Sequence, residues 1–222
     1  MLNAIFPRRP PEVAASFHAD DTDADIATLA AELMRSRRTV LPKRLGLPGP
    51  DAAQQQAMLE AAACAPDHGR LLPWRFVVVP MSARAALGEV FVESLIERDP
   101  DATAEQCAQA REKANRAPWL LLLVVDGACG DPAVDLLERV VSAGCAVQNV
   151  LLMATAQGFG SALTSGKALS SRYLKRLFGL RERERALCFV SIGTVLSNKP
   201  GRVRPDVSDF VSTLGDLPNS QF

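Results

Sequence analysis

The chain has 222 residues, 25 lysines and arginines against 25 aspartates and glutamates, and 48% apolar residues. That fits one large domain, or one domain with a tail, with enough apolar material to bury a core. A net charge of zero argues against nucleic-acid or anionic-membrane binding by bulk charge, and two histidines, His18 and His68, leave little for a histidine-rich metal site.

Residues 1–22 are rich in Pro, Asp and Ala without a helical or strand period, and read as an N-terminal extension. From Asp23 the apolar residues Ile26, Leu29, Ala30, Leu33 and Met34 recur at helical spacing, with Thr22 or Asp23 as cap. This helix should stop near Arg38, because Thr39-Val40-Leu41-Pro42 favours an extended exit. A second helix fits Ala52–Cys64, with Met58, Leu59, Ala62 and Ala63 facing inward and Pro66 ending it. Phe76-Val77-Val78-Val79, closed by Pro80, is a strand. Helices over Ala83–Glu97 and Ala104–Arg116 follow, then a buried strand over Trp119–Val125.

From Val140 to Gly166 there is no charged side chain, a stretch long enough to cross a bilayer. Gln148, Asn149 and Gln157 sit inside it, and polar amides are costly at bilayer depth. The expectation is a long helix from about Ala133 to Gln157, buried around most of its circumference, then a glycine-rich turn. Tyr173–Phe178 reads as a short helix, Leu187–Thr194 as a third strand, and the residues from Val195 on as an extended arm. Arg181-Glu182-Arg183-Glu184-Arg185 reads as a solvated turn. The class is α+β. Cys64, Cys107, Cys129, Cys145 and Cys188 contain no C-x-x-C pair and are odd in number, so reduced thiols in a cytoplasmic protein are expected.

Three segments could carry chemistry. Arg35-Ser36-Arg37-Arg38-Thr39 offers planar donor forks and a hydroxyl for a phosphate, although arginines ending a helix also complement its dipole. Ala65-Pro66-Asp67-His68-Gly69-Arg70-Leu71-Leu72-Pro73-Trp74-Arg75-Phe76 is a stiff loop that could hold a flat ligand, or simply a connector with Trp74 in the core. Gln157-Gly158-Phe159-Gly160-Ser161-Ala162-Leu163-Thr164-Ser165-Gly166 superficially suggests a dinucleotide fingerprint. It has Leu163 where the third glycine belongs and follows a helix rather than a strand. There is no paired-carboxylate signature, nucleophile elbow, Walker loop or metal-ligand spacing, which points to no catalysis or to a cofactor that brings its own.

In order along the chain, Arg37-Arg38-Thr39, Ala65-Pro66-Asp67-His68 with Pro73-Trp74-Arg75-Phe76, Ser142-Ala143-Gly144-Cys145-Ala146-Val147, Ala156-Gln157-Gly158-Phe159-Gly160, Ser165-Gly166 and Ile192-Gly193-Thr194 resemble the nitroreductase family of flavoproteins, in its short bacterial branch. The match runs from about Ile26 to Val211. The resemblance implies a domain over 23–222 with a mainly antiparallel sheet flanked by helices. It also implies an intertwined homodimer exchanging C-terminal arms from about 195, with FMN sites at the interface.

By motif position Arg37, Arg38 and Thr39 would hold the FMN phosphate and ribityl end. Cys64 and His68 would come from the partner subunit, and Leu163, Thr164 and Ser165 would lie along the flavin. Met153, Ala154, Thr155, Ala156, Gln157 and Gly158 would contact the nicotinamide nucleotide. The implied activity is transfer of hydride from NADH or NADPH through FMN to a nitroaromatic, quinone or similar acceptor, with no side chain acting as nucleophile. The alternative is a flavin-binding protein for storage or sensing.

Two departures bear on this. The branch often carries Trp-Arg-Ser where this chain has Leu163-Thr164-Ser165, and Cys64 replaces an arginine. Fewer cations should make flavin reduction harder, unless Lys43, Arg44, Arg70, Lys199 or Arg202 compensates, and should weaken any preference for a phosphorylated nicotinamide.

Overall fold

The computed structural model describes residues 22–197 and 203–214. Residues 1–21 of the extension, and Lys199 and Arg202 in the arm, lie outside the described residues. The chain divides into two compact units, 1–36 and 37–222. In the first, helix α1 spans Thr22–Ser36 and carries exposed Ile26, Leu29 and Met34. Ser36 Oγ donates to Leu33 O (2.8 Å) in its last turn.

The second unit begins with a two-residue strand, β1 (Leu45–Gly46), and helix α2 (Ala52–Ala63). A capping box starts α2: Gln54 N donates to Asp51 Oδ1 (2.8 Å), and Asp51 N donates to Gln54 Oε1 (2.9 Å). Strand β2 (Trp74–Val78) leads to α3 (Arg84–Ile96) and α4 (Ala104–Glu112). The helical reading up to Arg116 resolves into α4 and a 3-10 turn at Lys113–Asn115. Strand β3 (Trp119–Asp126) precedes the long helix α5 (Leu136–Ala156), whose N-cap Asp135 accepts from Leu137 N (2.7 Å). Strand β4 (Gly160–Thr164), helix α6 (Arg172–Leu177) and strand β5 (Glu184–Val195) complete the unit.

All five strands pair antiparallel, in the order β1-β5-β3-β2, with β4 also on β5. The architecture is the expected α+β sheet between helices. Alternation along β3 sorts the core into two layers. Trp119, Leu121 and Leu123 meet Met58 of α2 and Ala143, Val147 and Val150 of α5. Leu120, Leu122 and Val124 meet Leu87 and Val90 of α3 and Leu174 of α6.

Four expectations need correction. Of the residues expected inward on α2, Met58 and Ala62 are buried, Leu59 is half-buried and Ala63 is exposed. The stretch after α5 is strand β4, not a turn. Its small residues have weak strand propensity, but Gly160 admits a close approach: a Cβ there would lie 2.6 Å from Val195 and 2.8 Å from Leu45. Helix α5 is buried on one side only, for Leu137 and Val141 are 72% and 64% exposed. By length and mean hydropathy (1.3) α5 could cross a membrane; its inner side instead packs in the core, around the fully buried Arg139.

The charged run 181–185 is not merely a solvated turn. Glu184 is 2% exposed. Its carboxylate accepts from Arg75 Nε (2.9 Å) and from the Arg181 amide (2.8 Å), tying the start of β5 to β2. Those bonds, Arg75's first, hold the Glu184 carboxyl below its ordinary value despite burial.

Glu184→Gln should therefore cost about 2 kcal/mol in urea unfolding at neutral pH. Because the folded value is lowered, this stabilisation is complete above pH 4.5 and is lost as pH falls through the folded value. The variant's deficit should vanish in acid. Burial pushes the Cys188 thiol up to about 11. In a thiol titration at pH 8, Cys188 should stay unlabelled until the protein unfolds, whereas exposed Cys64 reacts.

Candidate active site

A cavity of about 610 Å³ opens on the α3 side of the sheet, where β4 ends. Phe91, Leu120 and Phe189 give it an apolar, aromatic floor. Thr164, Ser165, Ser191, Gln106 and Gln109 contribute neutral polar groups. Its charged lining is Lys43, Arg98, Lys113, Arg116 and Lys167, with no carboxylate, histidine or thiol. Size and lining are those of a pocket for a small planar ligand.

Each element places its part for a local reason. Pairing with Phe189 puts Thr164 on the cavity side of the sheet, while Leu163 and Ser161, opposite Val190 and Ile192, face the α5 side. The three residues expected along a flavin thus straddle the sheet, and Thr164 and Ser165 alone of them border the cavity. Arg116 is held by Glu112 one helical turn back (2.7 Å). Arg98 Nη1 donates to Ser94 O (2.6 Å). No ion pair is recorded among the described residues for Lys43, Lys113 or Lys167.

Arg37, Arg38 and Thr39 stand at the other end of β4. Thr39 bridges Ser161 in parallel, and Val40 N donates to Ser161 O (2.9 Å). From Ser161 to Thr164 the strand rises about 10 Å. Arg204 Nη2 donates to Arg37 O (2.8 Å). The half-buried Arg37 guanidinium is held below its ordinary value by burial first and by the like charge of Arg204 second. A second guanidinium at the Arg37 backbone, its charge felt by the first, favours an anion beside them. Ser161 Oγ, buried on the α5 side of the same strand, has no hydrogen-bond partner among the described residues.

The loop residues lie elsewhere within one chain. Cys64 is exposed at the end of α2, and His68 Nδ1 meets Glu138 Oε2 of α5 (2.7 Å). Between them and β2, Trp74 Nε1 donates to Ser142 Oγ (2.9 Å), which donates to Pro66 O (2.7 Å), so Trp74 is a core residue. Gly69, Arg70 and Leu72 all have positive φ (68°, 52° and 45°), and Asp67 Oδ2 accepts from Leu72 N (2.7 Å) to hold that shape. Neither Cys64 nor His68 borders the cavity.

The stretch from Met153 to Gly158 is the end of α5 and its cap. Ala154 is fully buried, Thr155 Oγ1 donates to Leu151 O (2.8 Å), and Gln157 Oε1 is buried without a hydrogen-bond partner among the described residues. Met153 packs on the α2–α5 core, and Ala156 and Gly158 are exposed. None of the six borders the cavity. Sequence reading missed Gln106, Gln109, Lys113 and Arg116, which look like the polar face of an ordinary helix, and Arg204, whose only signal is its distance along the chain from Arg37.

Comparison with known proteins gives the family and the fold. The sequence model described as the nitroreductase family matches residues 34–194. A Haemophilus influenzae protein named "Putative NAD(P)H nitroreductase" is 34% identical over 189 residues, covering 83% of this chain and 99% of its own. A nitroreductase-like family protein from Bacillus cereus superposes with TM-score 0.70 at 18% identity, over 90% of this chain and 98% of that one. A variant of NfnB, an FMN- and NADPH-dependent nitroreductase from Sphigopyxis sp. strain HMH, gives TM-score 0.65 at 18% identity, over 83% of this chain and 98% of that one.

The His68 ring is raised above its ordinary value of 6.5, chiefly by its hydrogen bond to Glu138 and then by that carboxylate's charge. A raised folded value means that the contact stabilises fully below pH 6.5 and is lost as pH rises through the folded value. An NMR titration of the His68 ring should show its midpoint above 6.5, and Glu138→Gln should bring it down.

Proposed function

This chain belongs to the nitroreductase family, and on that footing we propose that it is an FMN-dependent oxidoreductase using NADH or NADPH to reduce a nitroaromatic, a quinone or a similar electron-poor aromatic. The observation that carries the reading is the aromatic-floored, cation-lined cavity at one end of β4 with the Arg37–Arg204 pair at the other. Bound FMN would supply the redox step, taking hydride from the nicotinamide and passing reducing equivalents to the acceptor.

Arg37, Arg38 and Arg204 would hold the phosphate, with Thr39 and the unpartnered Ser161 hydroxyl beside them. Thr164 and Ser165 would orient the ring over Phe189 and Leu120. Lys43 or Lys113 would offset charge gained on reduction. The lining of one chain holds no histidine, carboxylate or thiol, so protons for the acceptor would come from water or from the second subunit.

A second copy would complete the site. The exposed Leu137 and Val141 of α5 and the exposed Val207 and Phe210 of the arm are surfaces for it, and its Cys64 and His68 would then approach the ring. The stretch from Met153 to Gly158 would meet the nicotinamide through its exposed positions, Ala156 and Gly158. Five unpaired cysteines agree with a cytoplasmic setting. A carrier that binds FMN without turnover is the second reading, favoured by the absence of a histidine or carboxylate in the cavity lining.

Purified protein should be yellow, dimeric by light scattering, and bleached anaerobically by NADH or NADPH. Tight FMN with no bleaching by either nicotinamide leaves the carrier; no affinity for FMN removes both readings. Arg37→Gln should weaken FMN binding by about tenfold to a hundredfold, the loss of one charge-assisted contact, with little change in melting temperature.

A further inference from the structure

The cavity's charge is one-sided. In a chain with 25 basic and 25 acidic residues, a site taking five cations and no carboxylate is not a product of composition. FMN does not account for all of them. On the reading above its phosphate would take Arg37, Arg38 and Arg204 at the far end of β4, and one lysine would serve for charge on a reduced ring. Arg116 is already paired with Glu112.

Arg98 and Lys167 remain, and their position is particular. Both border the main cavity and also a second hollow of about 450 Å³, so they stand where the two join. The second hollow is lined by Ser94, Ser170 and Ser171, and its carboxylate, Glu97, is taken by Arg172 (3.1 Å). Arg98 spends one N–H on Ser94 O, which fixes its stem and leaves the rest of the guanidinium available.

Resting on the flavoprotein reading above, we propose that the electron acceptor is an aromatic bearing a carboxylate or comparable anionic group, held by Arg98 and Lys167 at the junction of the two hollows. Leu95, Ala168 and Leu169, beside those cations in the cavity lining, offer apolar surface for the acceptor's ring, and the paired cations take its charged substituent. The charge selects the acceptor and sets which end of it lies toward Thr164.

The test compares 4-nitrobenzoate with 4-nitrobenzamide, which share ring and nitro group and differ in charge. Binding of each is measured by calorimetry without nicotinamide, so no turnover occurs, on the purified protein with whatever flavin it holds. The benzoate should bind about tenfold tighter at low ionic strength. That margin should shrink at about 0.5 M salt, where exposed charges are screened. Arg98→Gln with Lys167→Gln should erase the preference and leave nitrobenzamide affinity unchanged. Lys175→Gln with Arg176→Gln, on the exposed side of α6, should leave the preference intact.

Equal affinity for the two ligands, or a preference that survives loss of Arg98 and Lys167, overturns the proposal. FMN affinity, measured separately by flavin fluorescence, tells the two failures apart. FMN binding without charge discrimination refutes only the anionic acceptor, and charge discrimination without FMN binding refutes the flavoprotein reading and with it the ligand's role as electron acceptor.

Discussion

β3 is buried on both faces, and the rest of the 37–214 region follows from that. Seven of its eight residues are buried, and an apolar strand with no solvent face needs a helical layer on each side. α2 and α5 supply one layer, α3 and α6 the other. β5 is pinned beside β3 over most of its length, which leaves the far side of β5 to β4 and its C-terminal end to β1. The cavity lies where this sheet runs out, at the end of β4, because α3 and α4 overhang it there without filling it.

Burying charge is part of the same construction. Arg139 is 1% exposed and has no carboxylate partner among the described residues. It is satisfied by the carbonyls of Val134, Cys129 and Asp131 at 3.1, 2.6 and 2.7 Å. Arg84 does the same with Val79 O and Ala114 O (3.0 and 2.6 Å). In both cases a guanidinium fork gathers carbonyls that no helix or strand would otherwise satisfy. Glu184 is the acidic counterpart, fixing the start of β5 against β2. These residues use their charge on the scaffold, whereas Lys43, Lys113 and Lys167 of the cavity make no ion pair among the described residues.

The elements that could be read in advance are those with a strong local signal. Asp51 and Thr103 cap the helices expected from Ala52 and Ala104, and the apolar runs of β2, β3 and β5 mark strands, whereas the helix expected from about Ala133 starts only after its cap Asp135. β4 escaped because its small residues are chosen for close approach to Val195 and Leu45, a requirement that exists only once the sheet is assembled. Glu184 escaped for a similar reason: it sits among four charged neighbours in sequence, and its burial depends on Arg75, more than a hundred residues away.

By itself the sequence determined the class, most helices and three of the strands, and the motif order that ties the chain to its family, since each depends on residues close together along the backbone. Tertiary structure decided what the site is made of. It turned Leu163 and Thr164 to opposite faces of the sheet, brought Arg204 to Arg37, and gathered Lys43, Arg98, Lys113 and Lys167 around one cavity. Side chains that far apart in the chain carry no shared pattern. Only strand alternation and the packing of α3 and α4 over the sheet edge bring their charges together.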